Sequence, residues 1–144
     1  MLPRLTRTGT LPVGTHPAPM SEVVNRFGTD GPRRSVITRR MHHVLALARR
    51  TGKLSRAFLW GSYVTAKPEP NDIDVMLVMS SDFQVGMCDA ESRVVFDGDT
   101  SEDELGATVL WTREDVPPEL LEAFLDLWQV GRDGTRRGIV EVLL

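Results

Sequence analysis

The segment from Ile73 to Met79 constrains the fold of this 144-residue chain more than any other. Apart from Asp74, it is apolar at both alternating positions, which is typical of a strand covered on both faces in the middle of a sheet. Shorter apolar runs predict three more strands, at Ala57 to Trp60, Ala107 to Thr112 and Ile139 to Leu144. A chain of this length buries its core as one compact domain. We therefore predict an α/β or α+β fold, with a small mixed β-sheet and flanking helices.

The main predicted helix begins near Pro32 and ends near Gly52. Its apolar residues recur on one helical stripe, and they are Ile37, Met41, Val44, Leu45 and Ala48. A shorter helix is predicted before it, with Ser21 as the N-cap and Phe27 near its end. Pro117-Pro118 opens a third helix.

Two segments are harder to assign. Residues 82–105 are acidic, and their pattern indicates a helix around Asp89 to Phe96 followed by a loop. Asp133-Gly134 is typical of a hairpin turn that directs the chain toward the last strand. Arg136 and Arg137 follow this turn, and we expect both to be exposed.

Residues 1–19 contain Pro3, Pro12, Pro17 and Pro19, which predicts an extended arm ahead of a single domain at residues 20–144. The composition, 41% apolar and 26% charged, excludes fibrous, collagenous and wholly disordered classes. One cysteine, Cys88, cannot form an internal disulfide. No apolar run approaches the roughly 20 residues of a membrane helix, and the arm lacks the apolar stretch of a signal peptide. These features predict a cytoplasmic protein with no membrane partner.

Charge is divided unequally along the chain. Residues 1–60 carry eleven basic and two acidic side chains, a net charge of +9, whereas residues 61–144 carry six basic and eighteen acidic ones, a net charge of −12. Many of the basic residues lie on or just after the main helix, between Arg33 and Arg56. The two halves either attract each other across the fold, or the basic helix binds a polyanion such as RNA.

One constellation is difficult to explain by structure alone. Gly61-Ser62 ends a strand, and Asp72 and Asp74 follow beyond a nine-residue spacer. Alternate strand residues share a face, so the two carboxylates lie side by side, with their Cα atoms roughly 7 Å apart, and repel each other. A divalent metal held by oxygen ligands relieves that repulsion. The glycine turn and the serine hydroxyl are suited to phosphate oxygens.

These residues resemble the signature of the DNA polymerase beta-like nucleotidyltransferase superfamily, in which an apolar strand ends in Gly-Ser and Asp-x-Asp lies on the next strand. Three short flanking segments also resemble an uncharacterised bacterial branch of this superfamily, and they lie around Leu11-Pro12, at Thr65 to Pro68 and at Arg137 to Val140. The resemblance implies a nucleotidyltransferase-like fold, with Asp72 and Asp74 as catalytic ligands of Mg²⁺ or Mn²⁺ and an NTP as substrate.

By the same resemblance, Gly61 and Ser62 contact the phosphates. Lys67 lies in the loop between this turn and the strand of the two aspartates, where it either contacts the triphosphate or is a solvated loop lysine. The superfamily places a third carboxylate on a later strand, where this chain has Ala107 and Thr108. Asp97, Asp99 or Glu114 are candidates to replace it from a neighbouring loop.

Three functions stay open at this stage. The first is transfer of NMP from an NTP to a hydroxyl of a protein or an RNA, and small superfamily members of this kind often act as the antitoxin of a toxin-antitoxin pair. The second is a catalytically impaired module that binds NTP or a protein partner and lacks the third carboxylate. The third is an RNA-binding domain that uses the basic helix from Arg33 to Arg56.

Overall fold

A five-stranded mixed sheet forms the centre of the molecule in the computed structural model, which describes residues 1–144. The strands are β1 (Thr15–Pro19), β2 (Leu54–Trp60), β3 (Ile73–Met79), β4 (Ala107–Arg113) and β5 (Ile139–Leu143), and their order in the sheet is β1-β5-β2-β3-β4. The five α-helices are α1 (Met20–Phe27), α2 (Gly31–Arg50), α3 (Ala90–Arg93), α4 (Gly98–Leu105) and α5 (Pro118–Leu127). The predicted α/β class with a small mixed sheet is confirmed.

The interior position predicted for Ile73 to Met79 is also confirmed. β3 pairs antiparallel with β2 on one side and parallel with β4 on the other. β5 lies antiparallel to β2 and parallel to β1, so the last strand of the chain sits between two strands from its first half. The sheet therefore brings the end of β2, the start of β3 and the start of β4 to one edge.

Helices cover both faces of the sheet. All five residues of the predicted stripe on α2 are buried in the main core, together with Leu59, Val75 and Leu77 from the sheet. The other face carries a smaller apolar cluster of Phe58, Met76, Val78 and Leu121, in which Leu121 comes from α5. None of the helices combines the length and apolarity that crossing a membrane requires.

The N-terminal arm is part of this packing. Leu2, Leu11 and Ala18 are buried in the main core, and residues 15–19 pair with β5 as the edge strand β1. Prolines at 17 and 19 are tolerated there, because an edge strand has one side without ladder hydrogen bonds.

Two local predictions about helices are wrong. α1 begins at Met20 with Pro19 before it, and no side chain caps its N-terminus, so Ser21 is not the N-cap. The loop expected after Phe96 contains α4, because the Asp97 side chain accepts a hydrogen bond from the Thr100 amide and starts a helix there. Gly106 ends that helix in the left-handed conformation.

The end of the chain also differs from a simple hairpin. The turn at Asp133-Gly134 closes an isolated bridge between Val130 and Arg136. β5 then pairs with β1 and β2 instead of the segment before the turn.

Candidate functional site

Gly61 brings the backbone close to the first carboxylate of β3. It directly follows β2 and has φ of +87° and ψ of −166°, a conformation that L side chains rarely adopt. A Cβ at this position would collide with Oδ2 of Asp74. Ser62 then begins a single 3₁₀ turn that ends at Val64. The predicted glycine turn therefore exists because Asp74 leaves no space for a side chain.

Asp74 is held in an environment unfavourable for a charge. It pairs in register with Trp60 on β2 and Thr108 on β4. The pKa of Asp74 is raised to about 6, mainly by burial and next by the neighbouring charge of Asp72. Arg132 and Arg137 act in the opposite direction and lower this pKa. No Lys or Arg side-chain nitrogen lies within 4.0 Å of a carboxylate oxygen of Asp72 or Asp74, so neither aspartate forms an ion pair.

An open cleft of about 440 Å³ lies in front of these carboxylates. It contains no apolar side chain, and its lining residues are Gly61, Ser62, Lys67, Asn71, Asp72, Asp74, Arg132, Asp133 and Arg137. The structure thus brings together all five residues that the sequence singled out, since Gly61, Ser62, Lys67, Asp72 and Asp74 share this one surface.

Arg137 is the main residue of the cleft that sequence reasoning missed. The expectation that it is exposed is wrong, because it is half-buried beside Asp74, whereas Arg136 is exposed and pairs with Asp126. Its Nε atom is buried and has no hydrogen-bond partner. The backbone fixes its position, since the Arg137 amide donates to the carbonyl of Gln129 at 2.7 Å. Arg137 lies just after a turn and next to a second arginine, Arg136, and this local sequence gave no signal of its burial.

Arg34 holds the loop that follows the glycine turn. It belongs to the basic stretch of α2, yet only 4% of its surface is exposed. Its guanidinium donates to the carbonyls of Phe27, Tyr63, Thr65 and Lys67 at 2.6–3.0 Å. The sequence pattern gave no sign of this role, because the four acceptors are backbone atoms. Arg34 therefore positions Ser62 and Lys67 without lining the cleft.

Thr108 occupies the place where the resemblance leads one to look for a third carboxylate. It is the register partner of Asp74, so the two side chains share one face of the sheet. Glu114 follows the opposite end of β4 and bonds to Ser55 and the Ser81 amide, so it cannot replace that carboxylate.

The other candidate acids do not line the cleft either. Asp97 caps α4, and Asp99 is exposed in its first turn. Glu102 on α4, which the sequence did not indicate, is the additional acid whose charge raises the pKa of Asp74.

A metal fits this donor set only together with a second ligand. No cluster of three or more His, Cys, Asp or Glu side chains suited to a metal is present. Mg²⁺ commonly uses one or two carboxylates and completes its octahedron with water and substrate phosphates. Asp72 and Asp74 supply such a pair of carboxylates, and the cations across the cleft suit the phosphates.

The fold and the cleft define a small mixed α/β protein with paired carboxylates facing unpaired cations. Over residues 3–143 the chain matches the model of DUF6932, which is described as a family of unknown function, and it belongs to that family. No curated protein and no solved structure matches it.

Proposed function

We propose that this protein is a metal-dependent nucleotidyltransferase, which transfers NMP from an NTP to a hydroxyl of a protein or an RNA. One observation carries the proposal. Asp72 and Asp74 share a cleft with Lys67, Arg132 and Arg137, yet no ion pair joins the two groups. Opposite charges that stay apart in this way are complementary to a ligand carrying both a cation and a polyanion, such as a metal-bound polyphosphate.

Six residues of the cleft have a role in this reaction. Asp72 and Asp74 would hold Mg²⁺, which neutralises charge on the phosphates and orients them when bound. Gly61 lets the phosphates approach the backbone, and Ser62 offers its hydroxyl. Lys67 and Arg137 stabilise the negative charge that collects on the leaving pyrophosphate.

The reaction forms a bond between the acceptor oxygen and the α-phosphorus while the bond from that phosphorus to the pyrophosphate oxygen breaks. The proton of the acceptor hydroxyl passes to water in the open cleft, because Asp133, the third carboxylate of the lining, already accepts hydrogen bonds from the Thr135 amide and hydroxyl. Such transfers depend largely on positioning and on charge stabilisation. A site with two carboxylates can therefore support the reaction, at a lower rate than a site with three.

The second candidate is a module that binds NTP without turnover. Thr108 favours it, because a hydroxyl at this position next to Asp74 is a weak metal ligand and no base at neutral pH. Partner binding, including a toxin-like protein, is compatible with either candidate.

Two measurements on the same proteins separate these candidates. Calorimetry with ATP and Mg²⁺ measures binding, and pyrophosphate release together with transfer of label from [α-³²P]NTP to the protein itself or to added RNA measures turnover. The variants are Asp72→Asn and Asp74→Asn, and Asp115→Asn is the matched control because it is exposed and follows the opposite end of β4.

We expect both aspartate variants to lose pyrophosphate release and to bind Mg²⁺-ATP more weakly than the wild type, whereas the control keeps both properties. Binding without release would favour the module. Binding of Mg²⁺-ATP at the wild-type affinity in both aspartate variants would contradict metal-dependent transfer and leave a module that binds NTP without these carboxylates.

A further inference from the structure

A second cleft of about 390 Å³ adjoins the first on the side away from Asp72 and Asp74. The two clefts share Ser62, Lys67, Asp133 and Arg137, so they are continuous across these residues. The remaining lining residues of the second cleft are Thr8, Gly9, Thr10, Thr65, Ala66, Thr135 and Arg136. A ligand held at the carboxylates can therefore extend past Lys67 and Arg137 into this second space.

The N-terminal arm builds the outer wall of the second cleft. Thr10 forms a bridge with Thr65, and the Ala66 amide donates to the Gly9 carbonyl at 2.7 Å. Gly9 has φ of +79°, and a Cβ there would lie 2.9 Å from that of Ala66. The arm is thus fixed on the loop that follows the glycine turn, and its threonine hydroxyls are held at the cleft.

The donors of the second cleft are suited to an anion. Lys67 and Arg137 take part in no ion pair. The hydroxyls of Thr8 and Thr10 each lie 3.0 Å from that of Thr6 and can rotate toward a ligand. Charge-assisted hydrogen bonds from such groups to phosphate oxygens are strong.

Two further features exclude other kinds of ligand. Asp133 is the one acid of the lining, and its carboxylate already accepts from the Thr135 amide and hydroxyl at 3.0 and 2.7 Å. Ala66 is the one apolar residue, so the cleft offers no surface on which a nucleobase could stack.

We propose that the second cleft is a phosphate subsite, which binds the terminal phosphate of the polyphosphate whose inner part lies at Asp72 and Asp74. This inference rests on the proposed function, because it extends the same site. It assigns the N-terminal arm a role in specificity, since Thr8 and Thr10 distinguish a nucleoside triphosphate from a diphosphate. A backbone phosphate of an RNA offers the same chemistry, and the experiment separates the two sources.

The first arm of the experiment measures calorimetric affinities for ATP and ADP with Mg²⁺. We expect the wild type to bind ATP about tenfold more tightly than ADP. The double variant Thr8→Val/Thr10→Val keeps the shape of the arm, and we expect its ratio of affinities to fall to within about threefold while ADP binding is unchanged. Thr29→Val is the control, because Thr29 is exposed in the connection between α1 and α2, and we expect it to keep the wild-type ratio.

The second arm uses tripolyphosphate in EDTA, without metal, so that its outcome does not depend on catalysis. We expect the wild type to bind tripolyphosphate and Asp74→Asn to retain this binding. Arg137→Met and the threonine double variant should both bind tripolyphosphate more weakly. If tripolyphosphate binds in this way but no NTP is turned over, the proposed function fails and the subsite stands. If Mg²⁺-ATP binding requires the aspartates while ATP and ADP bind equally in every variant, the subsite is contradicted and the proposed function stands.

The third arm titrates a labelled RNA decamer into the same variants. RNA binding that the threonine variant loses, combined with tripolyphosphate binding that it keeps, would overturn the proposal and assign the cleft to the acceptor.

Discussion

At the scale of single residues, Asp74 shows an arrangement that does not favour folding. Its pKa is raised to about 6, first by burial and then by Asp72, so the carboxylate is ionised at neutral pH and no ion pair compensates it. Gly61 adopts a positive φ to leave room for the same carboxylate. Unfavourable local choices of this kind concentrate at functional sites.

Asp74→Asn should stabilise the metal-free protein at high pH. Because the folded pKa lies above the unfolded value of about 4, the ionised carboxylate destabilises the folded state by about 3 kcal/mol once the pH exceeds 6. The contribution of Asp74 to stability is fully present below about pH 4 and is lost as the pH rises through 6. We therefore expect the variant to gain up to about 3 kcal/mol at about pH 8 and nothing at about pH 4.

Denaturant unfolding in EDTA across this range of pH measures the difference between variant and wild type. The exposed Asp115→Asn variant should follow the wild type at every pH. A difference that is independent of pH would contradict the assignment of the raised pKa to Asp74.

A second residue-scale prediction concerns Arg34. Arg34→Met leaves four backbone carbonyls without their donor, three in the loop after Gly61 and one, that of Phe27, at the end of α1. Unsatisfied buried acceptors of this kind lower the free energy of unfolding by about 3 kcal/mol or more in total. We also expect weaker NTP binding, because the loop that carries Ser62 and Lys67 loses its anchor.

The adjacent Arg33 is exposed, so Arg33→Met removes the same charge from the same helix without removing those bonds. We expect it to unfold within about 0.5 kcal/mol of the wild type. Equal losses of stability in the two variants would show that charge, not the hydrogen bonds, is the cause.

The contrast between these residues explains which parts of the site the sequence could predict. The local sequence pattern of two consecutive strands predicts part of the site, because the end of one strand and the start of the next meet at the same end of the sheet. The residues predicted in this way are Gly61, Ser62, Asp72 and Asp74. Arg34 and Arg137 reach the site through contacts distant in sequence, and both are arginines in charged surroundings that are typical of solvated surface. Their burial depends on tertiary contacts that no local pattern contains.

At the scale of elements, strands and helices were predicted to different accuracy. β3 was predicted to the residue because it is apolar and buried on both faces. α4 was not predicted, because its sequence from Gly98 to Leu105 is acidic and lacks apolar residues repeated along one face of the helix. A side-chain cap at Asp97 and a left-handed glycine at 106 define it instead, and both depend on geometry that a hydropathy pattern does not reveal.

Thr108 on β4 is the register partner of Asp74, so a substitution there places a new side chain beside the two carboxylates. Thr108→Asp adds a third carboxylate next to Asp72 and Asp74. This carboxylate can take the proton of the attacking hydroxyl. With Mg²⁺ present, we expect the rate of pyrophosphate release to rise by about 10²-fold. Without metal, we expect the thermal midpoint to fall by a few degrees, because three carboxylates repel each other, and to recover when Mg²⁺ is added.

Thr112→Asp is the matched control, since it adds the same charge to the same strand and face about 13 Å away. The test compares pyrophosphate release and thermal midpoints of the two variants with and without Mg²⁺. If both variants release pyrophosphate at the wild-type rate, the missing carboxylate is not what limits turnover.

At the scale of the whole molecule, part of the charge asymmetry is compensated by surface ion pairs between the two halves of the chain. Three basic residues at the end of α2 and the start of β2 pair with acids from the second half of the chain. Arg50 binds Asp89 and Glu91, Lys53 binds Asp82, and Arg56 binds Glu141. These pairs favour mutual attraction of the two halves, while Arg33, Arg39 and Arg49 stay exposed on α2 without such partners.

The last prediction compares two triple variants that remove equal charge. Arg50→Gln/Lys53→Gln/Arg56→Gln removes the cross-chain pairs, and we expect the thermal midpoint to fall by a few degrees at low salt and by less at about 1 M NaCl, where exposed pairs are screened. Arg33→Gln/Arg39→Gln/Arg49→Gln changes the net charge identically but breaks no pair, so we expect a midpoint near that of the wild type.

The same two variants test the third function considered for this chain. If the basic helix binds RNA, the Arg33/Arg39/Arg49 variant loses affinity for a labelled RNA decamer, and its salt dependence becomes shallower by a slope of about 2, since each phosphate contact to a single strand contributes about 0.7. If the affinity and its salt dependence are unchanged in that variant, Arg33, Arg39 and Arg49 form a solvated face of α2, and the hypothesis that the helix binds RNA through them is contradicted.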